Sequence, residues 1–275
     1  MDGVLLEVGC EFSYLAEVPT HSVFQVEPRF DRGVLAVDER WTTTPPTGLS
    51  RYLDGFGNMC RRTTLPSGLS SWRYGATIEV PDGLDAERLD AREMAAEYLP
   101  DTALVFTLPS RFCPVQELAD QAWSLFGPVE PGWRRVQAIC DWVHDGITFD
   151  YLGTAPLATA ADVVDTGVGV CRDFAHLAVT FCRAFNIPAR YAFGYLPDIG
   201  VEPSAEETDF CAWMEAYLEG RWWTFDPRNN RRRTGRTLIA VGRDALDVAM
   251  VSTYGGPELL DMTVRAELVG SPAAD

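Results

Sequence analysis

The sequence contains no lysine, because all 23 of its Lys and Arg positions are arginine. This excludes catalysis through a lysine Schiff base, and it leaves the chain unable to crosslink to itself through a lysine amine. Acidic residues number 40, which gives a net charge of −17. Such a surface repels phosphate backbones, so we expect no nucleic-acid partner. The one basic cluster, within 228–236, is predicted to be a solvated loop paired with local acids.

Long apolar runs are also missing. The longest are short and broken by charged residues, so no segment is expected to span a bilayer and no membrane partner is predicted. The opening MDGVLLEVG holds Asp2 and Glu7 but no basic residue, unlike the basic start of a secretory signal. We therefore expect a cytoplasmic protein.

The seven cysteines form no CxxC pair and no Cys/His ladder, and their number is odd. Neither a disulfide framework nor a structural zinc site is indicated, and we expect no cofactor. Cys10, Cys140 and Cys182 lie in apolar stretches and are predicted to be inert core thiols. Cys171 and Cys211 lie in contexts that suggest chemistry.

The 275 residues suffice for one large domain or two modest ones. The first 80 residues or so favour short strands separated by Pro- and Gly-containing turns, which suits a small sandwich or barrel. The predicted strands are Val4–Val8, His21–Val26, Val34–Trp41 and Ser70–Val80. We place a boundary near residue 110, which gives a β-rich domain over 1–110 and a second domain over 111–275.

The second half starts with helical periodicity and ends with strands, an α+β pattern. The predicted helices are Val115–Phe126, Gly132–Gly146, Thr159–Thr166 and one that starts at Cys171. The predicted strands are Ala189–Leu196, Cys211–Leu218 and Arg221–Asp226, with a turn at 219–220 between the last two.

Cys171 falls in the first turn of its predicted helix, after a glycine-containing loop. The unpaired N–H groups and the positive end of the helix dipole favour a thiolate there, so we expect the thiol pKa to fall below its usual value of about 8.5. The same N–H groups suit an oxyanion, as attack on an acyl carbon requires. The alternative is a small residue buried at a helix start.

The hairpin supplies two further polar side chains. With its turn at 219–220, Trp213 pairs with Asp226, and Cys211 is the diagonal neighbour on the same face. Diagonal pairs lie about 7–8 Å apart, within reach of functional side chains. A thiol at a helix start followed by such a hairpin is the layout of a nucleophile, a base and an orienting carboxylate.

Several motifs then become specific: GVCRDFAH at 169–176, IPARY at 187–191, GYL at 194–196, AWMEAYL at 212–218 and WWTFDP at 222–227. Together they resemble the bacterial transglutaminase-like superfamily. The resemblance implies a papain-like core with the nucleophile at a helix N-terminus packed on an antiparallel sheet. The N-terminal part is similar to the bacterial transglutaminase N-terminal domain. In that family a cysteine attacks, a histidine before Ala-Trp is the base, and the aspartate of Asp-Pro orients the histidine. Cys171 and Asp226 match two of these roles.

The histidine is absent, and Cys211 occupies its position. His176 is predicted to point away from Cys171, His144 to close a helix, and His21 to lie in the β-rich domain, so none is a convincing replacement. Cys211 has four interpretations: a second thiol that pairs with Cys171 or shares a metal with Asp226, an inert cleft wall, a mark of lost catalysis, or a residue altered from the natural one.

We therefore predict a thiol enzyme that acts on an amide, ester or thioester through an acyl-Cys171 intermediate, by transfer, hydrolysis or cyclisation. Cys171, Cys211 and Asp226 are the predicted catalytic residues, and Tyr151, Trp213 and Glu215 are candidates for binding a peptide or small acyl substrate. The alternative is a catalytically degenerate binding protein for a peptide or small molecule. A metal or redox site on Cys171, Cys211 and Asp226 is a third hypothesis.

Overall fold

The computed structural model of this protein describes residues 3–31, 33–202 and 208–270. Its N-terminal part is built from six strands: β1 (Gly3–Ala16), β2 (Thr20–Phe24), β3 (Leu35–Thr44), β4 (Ser50–Leu53), β5 (Met59–Leu65) and β6 (Gly68–Pro81). Two C-terminal strands follow the core, β13 (Val251–Thr253) and β14 (Glu258–Leu268), whereas β12 (Thr237–Gly242) belongs to the core sheet.

Two four-stranded antiparallel sheets make up the β-rich part, in the orders β14-β1-β6-β3 and β13-β2-β5-β4. Strand β1 shows why the sequence folds this way, because its even-numbered residues from Leu6 to Tyr14 are buried whereas Glu7 is exposed. This alternation places one face in the core and the other in solvent. The predicted β-rich N-terminal architecture is confirmed.

Two strands of the N-terminal part were not predicted from the sequence. Strand β4 is exposed throughout, and β5 carries Arg61 and Arg62 in its middle, so neither has a clear apolar alternation. The two last strands were also not predicted. Strand β14 pairs with β1, and β13 pairs with β2. Residues 251–268 thus complete the N-terminal sheets, whereas the predicted boundary near residue 110 assigns them to the second domain.

The core has five helices and a central sheet. The helices are α1 (Asp101–Leu104), α2 (Val115–Phe126), α3 (Trp133–Gly146), α4 (Ala160–Thr166) and α5 (Cys171–Ala184). The remaining strands are β7 (Thr148–Phe149), β8 (Val168–Gly169), β9 (Ala189–Tyr195), β10 (Cys211–Leu218) and β11 (Arg221–Phe225). The sheet has the order β11-β10-β9-β12, and helix α5 packs against β10 and β9.

Local sequence explains the approach to α5. Thr159 caps α4 in a reciprocal capping box with Asp162, and Gly167 ends the helix in the left-handed region at φ 68°. The chain then runs through β8, which pairs in parallel with β7, and enters α5 at Cys171. The predicted helix start at this residue is therefore confirmed.

The hairpin β10–β11 has the predicted register. Its turn residues Glu219 and Gly220 have φ values of 48° and 83°, the left-handed pair of a tight hairpin turn. Met214 pairs with Phe225, so the ladder continued by one residue brings Trp213 opposite Asp226. Helix, sheet and hairpin together form the predicted papain-like core.

Candidate active site

Cys171 is the first residue of α5 and follows a tightly packed loop. The Asp173 carboxylate accepts the Val170 N–H at 3.1 Å and is fully buried. A Cβ on Gly169 would lie 2.9 Å from the Asp173 Cβ, so only glycine fits there without displacement. This packing fixes the loop that presents the thiol.

The Cys171 sulfur faces the start of β10. All seven cysteines are free, and six are buried whereas Cys171 is partly exposed. Its Sγ lies 4.0 Å from the Phe210 carbonyl oxygen, and the Ala212 N–H also points at the sulfur. Cys171 is thus the thiol best placed to meet a substrate.

The expected depression of the Cys171 pKa is not what the structure gives. Burial of the sulfur raises the pKa of the Cys171 thiol, although the Ala212 N–H and the positive charge of Arg228 act in the opposite direction. Since this pKa is raised, we expect the resting nucleophile at neutral pH to be mainly a thiol.

We expect iodoacetamide to alkylate Cys171 slowly at about pH 7.5, with a rate that rises through and beyond the ordinary thiol pKa of about 8.5. The sign follows from the raised pKa, since only the thiolate reacts and its fraction grows with pH until the pKa is passed. Peptide mass spectrometry checks this, with Cys171→Ala as the control. A rate that already reaches its plateau below pH 8 would contradict it.

Cys211 is buried beside Cys171 at the start of β10. Its thiol contacts the Ala212 carbonyl oxygen at 3.7 Å, and Gly194, which has no side chain, is its partner on β9. Burial, together with the negative charge of Asp226, raises the pKa of Cys211. The residue in the histidine position is therefore a protonated thiol, which is unsuited to act as a base at neutral pH.

Asp226 is committed to other partners. Its carboxylate accepts the Asn229 N–H at 3.0 Å, the Asn229 Nδ2–H at 2.9 Å and the Arg236 Nη2–H at 2.8 Å. Arg236 also donates from Nε to Asp85 at 3.0 Å. Burial disfavours the guanidinium charge, but Asp226 and Asp85 outweigh it and raise the pKa of Arg236. The carboxylate that would orient a histidine is held by an arginine instead.

The basic cluster is therefore not a solvated loop at every position. Arg233 and the side chain of Arg236 are only 4% and 5% exposed. Arg236 lies over the Trp213 ring, with its Cζ 4.6 Å from the ring centroid. The sequence does not predict the burial of Arg233 and Arg236, because nothing distinguishes them from the exposed arginines of the same run.

Two of the three predicted substrate-binding residues are buried. Trp213 packs with Ala192 and Leu238 beneath Arg236, and Glu215 forms an ion pair with Arg190 at 2.6 Å. Both border a cavity of about 270 Å³ that Cys171 does not line. Each is 1% exposed and supports the sheet, and its role in substrate binding stays a prediction.

Tyr151 is different, because it is 47% exposed on the loop before α4. Its ring meets Phe149 with the centroids 4.9 Å apart, and the guanidinium of Arg228 lies 3.8 Å from the Phe149 ring centroid. The positive charge of Arg228 also lowers the pKa of the Cys171 thiol, so this guanidinium lies near both the loop and the nucleophile.

Arg172, the residue after the nucleophile, ties the same loop to α5. It donates to the carbonyl oxygens of Pro156 and Ala155 at 3.1 and 3.3 Å. The loop exposes Leu152 and Leu157 as well as Tyr151. The loop that Arg172 ties to the start of α5 thus carries an apolar rim, formed by Tyr151, Leu152 and Leu157.

The histidines are engaged elsewhere. His144 is exposed, and its Nδ1 lies 2.8 Å from the Arg228 carbonyl oxygen. His176 is fully buried, and its Nε2 accepts the Ala245 N–H at 3.0 Å. Burial, with Arg172 and Arg183 nearby, holds the pKa of His176 well below its usual range. His176 is therefore not placed as a substitute base, and the Nδ1 of His144 is occupied by Arg228.

Known proteins resemble this chain in both sequence and structure. Residues 122–227 match the transglutaminase-like superfamily. A crystal structure of a protein from Cytophaga hutchinsonii named "Putative Cysteine Protease" superposes with a TM-score of 0.89 at 29% identity, covering 100% of this chain and 93% of that one. This chain carries a transglutaminase-like core. An uncharacterized protein of Mycobacterium leprae is 26% identical over 266 residues, 93% of this chain and 95% of the relative. Another, from Mycobacterium tuberculosis, is 27% identical over 264 residues, with 86% and 83% covered.

Within the transglutaminase-like core, the hairpin register and the start of α5 bring the three predicted catalytic residues to one end of β10, and their catalytic roles stay a prediction. Cys171, Cys211 and Asp226 lie close enough for their charges to affect one another. Over 3–31, 33–202 and 208–270, no group of three or more His, Cys, Asp or Glu side chains is arranged to hold a metal ion. In the same ranges, no helix is long and apolar enough to cross a membrane.

Proposed function

We propose that the protein is a thiol-dependent acyl-transfer enzyme that works through an acyl-Cys171 intermediate. The observation that carries this proposal is the position of Cys171, which is the one partly exposed cysteine and lies at the N-terminus of α5 inside a transglutaminase-like core. The substrate is a peptide or a small acyl compound, and the acceptor is water, an amine or a group of the same molecule.

The chemistry follows from the groups around the sulfur. As Cys171 attacks the acyl carbon, the carbonyl oxygen becomes an oxyanion, which unpaired N–H groups of the first turn of α5 are suited to stabilise. An imidazolium would normally protonate the leaving group, but position 211 holds a thiol. Groups that leave without strong acid assistance are therefore favoured, so thioesters and activated esters react faster than amides.

A second candidate is a binding protein that retains the fold without turnover. The observation in its favour is the pairing of Asp226 with Arg236, which gives this carboxylate a structural reason to be present. In that case a peptide or small molecule would bind near the apolar rim around Tyr151 without forming a covalent adduct.

Reaction with a thioester distinguishes the acyl-transfer enzyme from the binding protein. We expect S-phenyl thioacetate to transfer one acetyl group to the peptide that contains Cys171, as intact and peptide mass spectrometry would show. Cys171→Ala should lose this adduct completely, because the acceptor sulfur is gone. Cys211→Ala, the matched control, should retain it, because the thiol at position 211 is buried and protonated.

The thiophenol released measures turnover in the same reaction. Continued release beyond one equivalent shows that water or an added amine discharges the acyl enzyme. Absence of both the adduct and the release, in a protein whose Cys171 is alkylated by iodoacetamide at high pH, would remove the enzyme proposal and leave the binding protein.

A further inference from the structure

Three buried side chains border one cavity, and each carries a hydrogen-bond donor without an acceptor. The cavity has a volume of about 270 Å³ and lies between the β-rich part and the core hairpin. Among residues 3–31, 33–202 and 208–270, no acceptor contacts the Trp213 Nε1–H, the Arg233 Nε–H or the Arg236 Nη1 group. All three side chains are at most 5% exposed. Because a buried donor without a partner costs free energy, three of them at one cavity favour a ligand that accepts hydrogen bonds.

Other contacts hold both guanidinium groups in place. Arg236 donates from Nη2 to Asp226 at 2.8 Å and from Nε to Asp85 at 3.0 Å. Arg233 donates from Nη2 to the Pro197 carbonyl oxygen at 2.8 Å, and its backbone N–H donates to Asp85 at 3.0 Å. The donors left over are therefore already ordered, which lowers the entropy cost of binding a ligand.

Much of the remaining wall is apolar. It includes Trp223 and the buried side chains of Val34, Val80 and Leu238. The Trp223 indole N–H is donated to the Leu218 carbonyl oxygen at 3.0 Å, so this side chain has no donor left for a ligand. An apolar wall with a few placed polar groups is the usual composition of a small-molecule site.

Size and access limit what can enter. The volume is below the range of about 300–1,000 Å³ that is usual for drug-sized ligands, so a smaller molecule fits. Gly83, Leu84 and Ala86 are exposed and border the cavity, which is therefore open to solvent.

The charges favour a ligand with a single negative charge. Arg236 is shared between Asp226 and Asp85, so a doubly charged anion would meet two carboxylates as well as the arginines. A carboxylate carries one charge, donates no hydrogen bond and can accept about four, which is enough for the three donors.

We propose that this cavity is a second ligand site, which binds a small organic carboxylate with an apolar or aromatic body. The carboxylate accepts from Trp213, Arg233 and Arg236, and the body lies against the apolar wall. Cys171 does not line the cavity, so the site is separate from the nucleophile and does not rest on the proposed function.

Binding of 4-fluorobenzoate, followed by fluorine NMR at neutral pH, tests the site. We expect a Kd of about 1 mM or lower, as suits a ligand of so few atoms. Trp213→Phe removes the indole N–H but retains an aromatic ring, and Arg233→Lys removes the Nε–H but retains the positive charge. Each should weaken binding about 10-fold or more, the usual effect of losing a hydrogen bond to a charged group.

Trp223→Phe is the matched control and should bind as the parent does, because its indole N–H is donated to Leu218. Cys171→Ala should also bind as the parent does, because that residue lies outside the cavity. Circular dichroism checks the folding of each variant, and if Trp213→Phe unfolds, Arg233→Lys decides. Neutral 4-fluorobenzamide should bind more weakly than the carboxylate, and inorganic phosphate should not displace it.

Three results would overturn the proposal. If the parent does not bind 4-fluorobenzoate, or if the folded donor variants bind it as tightly as the parent, water alone serves these donors. Loss of binding in Cys171→Ala would place the carboxylate at the nucleophile instead. Displacement by phosphate would show a general oxyanion site rather than one for a carboxylate.

Discussion

Replacement of Cys211 by histidine is expected to raise the rate of Cys171-dependent acyl transfer by about 10²–10⁴-fold, the usual contribution of a positioned general acid–base group. The imidazole would take the Cys171 proton and then protonate the leaving group, which the buried thiol at position 211 does not do. The largest gain is expected for amides, because an amine leaves poorly without a proton.

The surroundings of position 211 favour this result. Gly194 is its ladder partner on β9 and presents no side chain, so the larger ring meets no side chain at the position directly opposite it. Asp226 accepts three hydrogen bonds, and a carboxylate can accept about four, so one site remains for the imidazole N–H. The ring would then have the orienting partner that the resemblance implies.

The measurement compares Cys211→His with Cys211→Asn, which has a polar side chain but no titratable base. Hydrolysis of an anilide and of S-phenyl thioacetate should increase in the histidine variant alone. Its Cys171 should also be alkylated faster at neutral pH, because an imidazolium stabilises the thiolate. Equal rates in the two variants would show that the lost histidine is not what limits the site.

The parts of the fold that were predictable from the sequence are those where local pattern and tertiary packing agree. Helix α2 spans Val115–Phe126 as its periodicity predicts, and the Glu219-Gly220 turn fixes the hairpin register. Strand β4 could not be found this way, because all four of its residues are exposed and it is held by pairing with β5. Its existence depends on a partner, not on its own apolar pattern.

The features of the candidate site that could be predicted are likewise those that depend on local sequence. Motif spacing predicted the meeting of Cys171, Cys211 and Asp226, because the turn and the helix start are local features. The pKa of Cys171 was predicted in the wrong direction, since the helix terminus is visible in the sequence but the burial of the sulfur is not. Arg236 was missed for the same reason, because its burial between Asp226 and Asp85 is created by the folded chain.

Arg236 changes what Asp226 signifies. A retained aspartate in the Asp-Pro motif suggests catalysis when the sequence is considered alone. In the structure this carboxylate is 2% exposed and paired with a guanidinium that is 5% exposed, so its removal would leave a buried positive charge. Asp226 therefore has a structural role whether or not the site turns over, and the case for catalysis depends on Cys171.

Arg236→Met is expected to destabilise the protein by about 3–5 kcal/mol, the usual cost when one partner of a buried ion pair is removed. The substitution leaves Asp226 and Asp85 without their shared cation, while their side chains stay 2% and 13% exposed. For a chain of this length the loss corresponds to a Tm lower by roughly 6–10 °C. Urea and thermal unfolding, followed by circular dichroism, would measure it.

The matched control is Arg88→Met, which removes an arginine that pairs with Asp90 and Glu219 at the surface. Its side chain is 47% exposed, and surface pairs contribute at most about 1 kcal/mol, so little change is expected. Adding Asp226→Asn to Arg236→Met should recover part of the stability, because the orphaned negative charge is then removed. If Arg236→Met unfolds like Arg88→Met, the ion pair is not what holds this carboxylate, and Asp226 would again be best explained by catalysis.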